Sequence, residues 1–558
     1  MDNLIRKYAL QNAVRYEGKA QAGAVIGKVF SEKPNLDKKE VAKQVNLIVK
    51  EINKLSFDEQ KKLLNDLAPE LLEKKKGEER TELPPLKDAV EGKVVTRLPP
   101  EPSKYNHVGH ALSFLINYMY AKKYKGKCIL RFEDTNPAKA KQEYVDAMQI
   151  DVLDYLGIKV DKTIFASDDM ALFYSLAEKL TRAGKAYVCC CDIETMREKR
   201  HKGLVCECCQ NCVELNLEKW QAMLNRKFAE GKAVLRLKGD MCADNHCMRD
   251  PVIFRVVADE HYRQGKKYSV WPVYDFENAV EDSVNKVTHV LRSSEFGNMR
   301  IELQAYIKEL LGLPQQVVIH YSRYNIAGAT TQGREIREMI EKKQIIGWDD
   351  PRLVTLRAMK RRGIDKRTYY ELVHKVGLSL SDKKIDWSVI AAVNRKIIDP
   401  EVNRYFFVQD PKLVKIENAP EQKVELDLHP DFPERGKRVF NTHNEFYICT
   451  EDFDVLKEGK LYRLMDCLNF MKKGAKLVFD SLEYAKFKEK GAKIIHWLPK
   501  QDLISVEVMM PNATLVKGLG EPSLLNLKVG EVIQAQRFGF MRLDRVEKDK
   551  LTFWYTHK

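Results

Sequence analysis

The stretch RLPPEPSKYNHVGH, residues 97–110, constrains the chain more tightly than any other. Pro99, Pro100 and Pro102 fix φ and hold the backbone out of helix. Directly after them, Asn106 and His107 open a run in which Val108, Ala111, Leu112, Leu115, Ile116 and Met119 fall at helical spacing. The chain has to pass from a proline-stiffened extended segment straight into a helix. His107 and His110 share one face of its first turn. A helix start offers unpaired N–H groups and the positive end of the dipole, which suits a phosphate, and Gly109 lets backbone approach closely. The spacing alone also fits ordinary surface or core histidines, so the flanking sequence decides between the two.

That flanking sequence alternates. Val94-Val95 reads as a short buried strand before the prolines. Cys128-Ile129-Leu130-Arg131-Phe132 reads as the next, closing on Glu133-Asp134-Thr135-Asn136-Pro137. A helix through Tyr144, Met148, Val152 and Tyr155 follows, then a strand Lys162–Phe165 and a helix through Leu172, Leu176 and Leu180. Alternating strands and helices argue for a parallel sheet whose ligands sit at the carboxyl ends of strands. Residues 186–265 interrupt the pattern. The sheet is expected to resume at Tyr268–Tyr274 and to continue in Val287–Leu291, which ends on Arg292-Ser293-Ser294-Glu295.

Seven of the twelve cysteines crowd into two short clusters of the interruption, Cys189-Cys190-Cys191 and Cys206 to Cys212. Cys189 with Cys191 and Cys206 with Cys208 form two Cys-x-Cys pairs that supply four thiolates, the number a tetrahedral zinc takes, with Cys209 and Cys212 as competing ligands. Inert free thiols are the alternative. The position, away from the histidines, points to a structural site.

The net charge of +15, with 80 acidic residues against 95 basic ones, suits a folded protein with a basic face, for which nucleic acid is the commonest partner. No apolar run is long enough to span a bilayer and the N-terminus lacks a signal-peptide core, so a cytoplasmic protein without membrane contact is expected. Residues 1–88 read as a helical domain, with Leu4, Tyr8 and Ala13 at helical spacing and Ser56 and Glu59 in capping-box positions before Leu63, Leu64 and Leu67. The stretch from Lys74-Lys75-Lys76-Gly77 to Leu83-Pro84-Pro85 reads as a linker. From about 396 the pattern becomes strands: Val424, Leu426 and Leu428 alternate with acids, Ile504, Val506 and Val508 with polar residues.

Taken in order, RLPPEPSKYNHVGH, RFEDTNP, YDFENAVEDSVNKVTHVLRSSEF and GWDDPRL resemble the glutamyl/glutaminyl branch of class I aminoacyl-tRNA synthetases. His107-Val108-Gly109-His110 matches that class's HIGH motif. YALQNAVRYEGKAQAGAVIGKV and NRKIIDPEVNRYFFVQDP resemble the branch's archaeal and eukaryotic glutamate-specific form, and the likeness covers nearly the whole chain. It implies a multidomain protein: an N-terminal helical domain (1–88), an α/β Rossmann catalytic domain (89–345) with an inserted acceptor-binding subdomain, a helical stem-contact region (346–395) and C-terminal β-barrel anticodon-binding domains (396–558).

The implied activity is ligation of glutamate to tRNA(Glu) through glutamyl-adenylate, with ATP and Mg2+ and a structural Zn2+. The resemblance assigns His107, Gly109 and His110 to ATP, and Arg97, Glu101, Ser103, Glu133, Tyr274 and Asn278 to the amino acid and its reacting end. Arg292 stands where glutamine-specific members carry a small uncharged residue, and a guanidinium suits a side-chain carboxylate; pairing with Glu295 is the other role open to it. Arg357, Lys360, Arg361 and Arg362 resemble the edge that faces the tRNA, while Arg537, Phe538, Phe540 and Arg542 are candidates for base stacking. L-glutamate and tRNA(Glu) are the expected partners of a monomer, with tRNA(Gln) left open as a second acceptor and a partner protein or RNA left open for the N-terminal helices. A glutaminyl enzyme and a non-catalytic tRNA-binding paralogue are the alternative readings.

Two positions depart from the family text. Glycine usually follows PPEPS, and Lys104 stands there. A lysine-bearing KMSKS-like loop is expected after Ile319-His320-Tyr321, and the chain instead reads Ile326-Ala327-Gly328-Ala329-Thr330-Thr331-Gln332-Gly333-Arg334. Thr330 and Thr331 can donate to phosphate there, Arg334 can supply charge, and backbone N–H groups around Gly328 and Gly333 can add to them.

Overall fold

The computed structural model describes residues 1–16, 18–33, 36–71, 82–326, 328–379, 383–548 and 550–558. The Lys74–Gly77 part of the expected linker and Ala327 of the loop lie outside them. The chain divides into two compact units, Met1–Thr81 and Glu82–Lys558.

The first unit packs the helices Asp2–Arg15, Ala22–Glu32, Lys38–Ile52 and Phe57–Leu67 around Ile5, Ala9, Val25, Val41, Val45 and Leu64. The last helix starts as its sequence demands: Ser56 N–H donates to Glu59 Oε2 at 2.8 Å and Glu59 N–H to Ser56 Oγ at 3.3 Å. Leu63 and Leu67 nevertheless face outward. The inner face is taken by Leu64 and by Gln60, whose buried amide donates to the carbonyls of Gly18, Ile52 and Leu55.

The second unit begins with parallel strands β1 (Val95–Leu98), β2 (Lys127–Phe132) and β3 (Lys162–Phe165), β2 in the middle. An inserted antiparallel sheet follows in the order β4 (Ala186–Cys189), β5 (Val234–Leu237), β6 (Val252–Val256), β7 (Val270–Pro272). Here the structure corrects the sequence reading: β7 closes the inserted sheet and does not resume the parallel one. It pairs antiparallel with β6, Arg255 opposite Trp271, and buries Trp271 in the inserted core. The parallel arrangement returns with β8 (His289–Ser293) and β9 (Val317–Tyr321). Thr288 N–H donates to Val95 O at 3.0 Å and Val95 N–H to Thr288 Oγ1 at 2.8 Å, which docks β8 alongside β1. The order therefore runs β3-β2-β1-β8-β9 and reverses direction between β1 and β8, where a crevice opens at the carboxyl ends of the strands.

The described residues beyond 400 form a two-stranded sheet of Gln422–Asp427 with Lys437–Thr442 and two seven-stranded ones. The edge strands of one are Arg404–Tyr405 and Phe407–Gln409, separated in the chain by Phe406 alone. Those of the other are Gly491–Ile495 and Leu498–Pro499, separated by His496 and Trp497. A sheet whose two edges are chain neighbours has to curl to bring those edges near one another, which makes a half-barrel. Among the described residues no helix is long and apolar enough to cross a membrane.

Candidate active site

The helix Val108–Lys123 begins at the carboxyl end of β1 with His107 as its N-cap. Its entry is braced from a distant segment: Val108 N–H donates to Val354 O at 3.0 Å and Leu356 N–H to Asn106 O at 2.8 Å. The GWDDPRL stretch that leads to Val354 is itself folded around Asp350, which accepts from Arg352 and from the Ile346 N–H.

The two imidazoles stack with ring centroids 3.8 Å apart. His107 Nδ1 accepts from the Gly109 N–H at 3.1 Å, and His110 Nδ1 accepts from the His107 N–H at 3.2 Å. A neutral imidazole whose Nδ1 accepts carries its proton on Nε2, so both rings keep an Nε2–H for a ligand. Both stay neutral. Burial first, then His110 and Lys104, push His107 well below its usual range; burial and Lys104 push His110 down to about 3. Gly109 is obligatory, since a Cβ there would lie 2.9 Å from His107 Cε1 and 3.0 Å from Tyr324 O.

The histidines open onto a cavity of about 780 Å³ lined also by Gly109, Ser103, Glu101 and Lys104. Arg97, Glu133, Tyr274 and Arg292 line the same space. Asn278 does not; it lies behind the wall, and its place on the surface is taken by Glu277, one residue earlier on the helix Tyr274–Val284.

Beneath the cavity runs a buried ion network. Asp282 accepts from Arg97 Nε at 3.1 Å and from Arg131 Nη1 at 2.7 Å, while Arg131 Nη2 donates to Glu133 Oε1 and Asn278 Oδ1, both at 3.0 Å. Burial opposes the Asp282 carboxylate, but Arg97 and Arg131 outweigh it and hold the group at about 2. Glu277 goes the other way, pushed far up by burial and by Glu133, and accepts from Thr135 Oγ1. Arg97 Nη1 is buried and makes no hydrogen bond among the described residues. Arg292 Nη1 donates to Gln304 Oε1 at 3.0 Å and its Nε points to His320 Nε2 at 3.3 Å, while Glu295 lies 3.5 Å from Arg323.

Sequence reasoning missed Arg131, Asp282 and Gln304. Asp282 carried the one usable signal, an acid two turns along the helix from Tyr274 on a stretch already rich in acids.

The loop after β9 behaves differently from its sequence expectation. Thr330 Oγ1 donates to Glu335 Oε2 at 2.5 Å, and Arg334, 88% exposed, pairs with Glu338 at 3.0 Å. Neither they nor the Thr331 side chain line the cavity.

The catalytic-domain model of class I tRNA synthetases for E and Q matches residues 93–400, and models of the same proteins' anticodon-binding domains match 402–479 and 494–544. The chain belongs to this family. The glutamate–tRNA ligase of Pyrococcus furiosus is 42% identical over 574 residues and that of Methanocaldococcus jannaschii 39% over 568, each covering 100% of both chains. A crystal structure of a glutamate tRNA ligase from Elizabethkingia meningosepticum, in complex with its amino acid, is 17% identical with a TM-score of 0.40, over 56% of this chain and 70% of that one.

As a class I E/Q synthetase, the protein has a catalytic part extending to residue 400 and anticodon-binding parts beyond it. Of the basic edge, Arg357 and Lys360 line a groove with Tyr105, Glu143 and Asp146. Arg361 is split between Asp349 and Asp544, and Arg362 is buried against the chain's end, donating to the carbonyls of Tyr555 and Thr556. Phe540 is core, Phe538 packs on Phe407 and Tyr555, and Arg537 reaches Asp452.

In the inserted sheet Cys189, Cys191, Cys206 and Cys208 bring their sulfurs within 4.8 Å of one another. The Cys189–Cys206 and Cys191–Cys208 separations are 3.8 and 4.0 Å. Zn–S bonds of about 2.3 Å at tetrahedral angles put sulfurs roughly 3.8 Å apart, so the donor set fits zinc.

Proposed function

We propose that the chain joins glutamate to tRNA(Glu) in two steps, forming glutamyl-adenylate from glutamate and ATP, with magnesium, and then passing the glutamyl group to the terminal ribose of the tRNA. The observation that carries this reading is Arg97 Nη1, a buried guanidinium donor with no hydrogen-bond partner among the described residues, at the wall of a cavity that also holds Arg292. A donor buried without a partner is costly, and a carboxylate ligand removes the cost. Arg97 and Arg292 together suit a dicarboxylic amino acid. Glu133, held by Arg131 at the same cavity, suits its ammonium. The paired Nε2–H donors and the N–H groups at the helix start suit a triphosphate and stabilise charge gathering on departing pyrophosphate. Cys189, Cys191, Cys206 and Cys208 would hold a zinc whose four positions are all filled by protein, a structural site with no place for substrate.

The test is charging of separately purified tRNA(Glu) and tRNA(Gln) with labelled glutamate or glutamine in the presence of ATP and magnesium. Glutamate incorporation on tRNA(Glu) is expected, and the tRNA(Gln) arm decides whether that acceptor is also used. Glutamine incorporation, or tight tRNA binding with no charging of either amino acid, overturns the reading.

A further inference from the structure

We propose that Lys104 is the cation of the triphosphate site, doing from the proline loop the work that no lysine of the loop after β9 is there to do. The inference rests on the activity proposed above. Both departures from the family text meet at this point of the structure. The Lys104 ammonium donates to Thr331 O at 3.2 Å, crossing from one loop to the other. Its stem lies flat on Gly333: a Cβ at Gly333 would come within 3.1 Å of Lys104 Cβ and Cδ. The helix that follows is tied to the same place, Arg337 Nη1 donating to Ser103 O at 3.1 Å. The lysine is thus held across the mouth of the cavity, whose wall it shares with both histidines.

The other cations of that wall are engaged, except Arg255, whose buried Nε has no hydrogen-bond partner among the described residues. Arg97 pairs with Asp282, Arg300 with Asp275 at 2.6 Å and Arg323 with Glu295, while Arg292 bonds Gln304 and His320. No carboxylate among the described residues makes an ion pair with Lys104. An ammonium has three N–H donors, and the chain uses one of them on an uncharged carbonyl. Glu101, Glu295, Arg323 and Arg337 act on it only from a distance. It is the charged group whose field bears on both imidazoles. Thr330 and Arg334, the loop's own polar groups, are turned to Glu335 and Glu338.

In the activation step an oxygen of the amino acid's α-carboxylate bonds to the α-phosphorus of ATP. The α,β-bridging P–O bond breaks, and its electron pair leaves on pyrophosphate without proton transfer. Lys104 acts by electrostatics on that leaving charge and on the resting triphosphate, so it is needed for both ATP binding and turnover.

Lys104→Met and Lys104→Arg would be compared with the full-length parent in glutamate-dependent ATP–pyrophosphate exchange, measured with tRNA present. Calorimetric binding of inorganic pyrophosphate and Tm would be measured alongside. Loss of one preorganised donor to a developing anion costs roughly 10²- to 10³-fold. Lys104→Met is expected to lose that much exchange and to bind pyrophosphate more weakly, with glutamate KM, tRNA affinity and Tm unchanged; Lys104→Arg is expected to keep most of both. Gly333→Ala, which lifts the lysine stem, is expected to lower exchange in the parent but to have no further effect in a Lys104→Gly background, a non-additivity that marks one shared function. Exchange and pyrophosphate binding at parent levels in Lys104→Met overturn the inference, as does a loss that follows Tm in both variants. A parent that shows no exchange overturns the proposed activity instead. In that case pyrophosphate binding still decides for or against Lys104 as a phosphate cation.

Discussion

Arg292 reaches the cavity on two neutral supports, Gln304 and His320, and Gln304 in turn donates to Asp275. Such supports fix where the guanidinium sits at the cavity wall. Removing one side of a desolvated carboxylate–guanidinium pair costs about 3–5 kcal/mol, so Arg292→Cys should lower kcat/KM for glutamate by roughly 10²- to 10⁴-fold. Its Tm should move little, because the loss falls on a group facing a cavity that water can refill. Charging at the parental kcat/KM would remove Arg292 from the pocket. His110 makes a second prediction through pH. Unfolded, its imidazole takes a proton near 6.5; folded, burial and Lys104 delay that to about 3. Between those values the unfolded chain binds more protons, so His110 favours the fold above pH 6.5 and that benefit is lost as pH falls. At pH 5 the loss is about 1–2 kcal/mol. In denaturant titrations at pH 7.5 and 5, the parent should lose more stability on acidification than His110→Gln; equal losses would show the ring already protonated.

The elements show what a linear pattern can and cannot carry. The helix start at His107 was legible because caps, prolines and apolar spacing are all local, and so was the Ser56 capping box. Val270-Trp271-Pro272 was misplaced because a short buried strand has the same composition in a parallel or an antiparallel sheet; only its partner, β6, distinguishes them. The ion network escaped notice for a related reason, since Arg131 and Asp282 are 151 positions apart and each alone resembles an exposed charge. The cysteines stand out as a candidate metal set by density, and the geometry separates Cys189, Cys191, Cys206 and Cys208 from the exposed Cys212. That separation can be tested. The purified protein should carry one zinc per chain by elemental analysis, lost in Cys208→Ser and kept in Cys212→Ser. Without metal, the segments around Cys191 and Cys208 lose the tie through the four thiolates and keep only the weaker contacts of Arg236 and Tyr187 with Cys189 and Cys206, so limited proteolysis should open the 190–215 region in Cys208→Ser and leave the parent intact. Zinc retained in Cys208→Ser would dissolve the four-thiolate assignment.

At the scale of the second unit, the basic edge sorts into residues that face outward and residues that hold the catalytic part to the curled sheets. Arg361 makes two bonds to Asp544, at 2.8 and 2.7 Å, yet its side chain is 32% exposed; pairs of that kind are worth at most about 1 kcal/mol. Arg362 is the stronger tie. It is buried, stacks 4.1 Å over Trp387, and donates to the carbonyls of Pro351, Tyr555 and Thr556, while Thr556 Oγ1 donates back to Arg362 O at 2.5 Å. Gly363 beside it has a φ of +84° and room for no side chain, since a Cβ would lie 3.0 Å from both Thr556 Oγ1 and Val532 Cγ2. The end of the chain is therefore pressed directly onto the helical segment that begins at the GWDDPRL stretch, the same stretch that braces His107. Arg362→Met keeps the volume but strands buried carbonyls, at a cost of about 2–4 kcal/mol. That cost falls on the joint between the two parts, so the variant should bind tRNA with a higher KM while its KM for glutamate stays as it was. Heat-capacity scans should show the C-terminal sheets melting earlier and apart from the catalytic part. Arg361→Ala, with its solvent-screened pair, should show neither change. If Arg361→Ala uncoupled the two parts and Arg362→Met did not, the exposed ion pairs rather than the buried guanidinium would be what joins them.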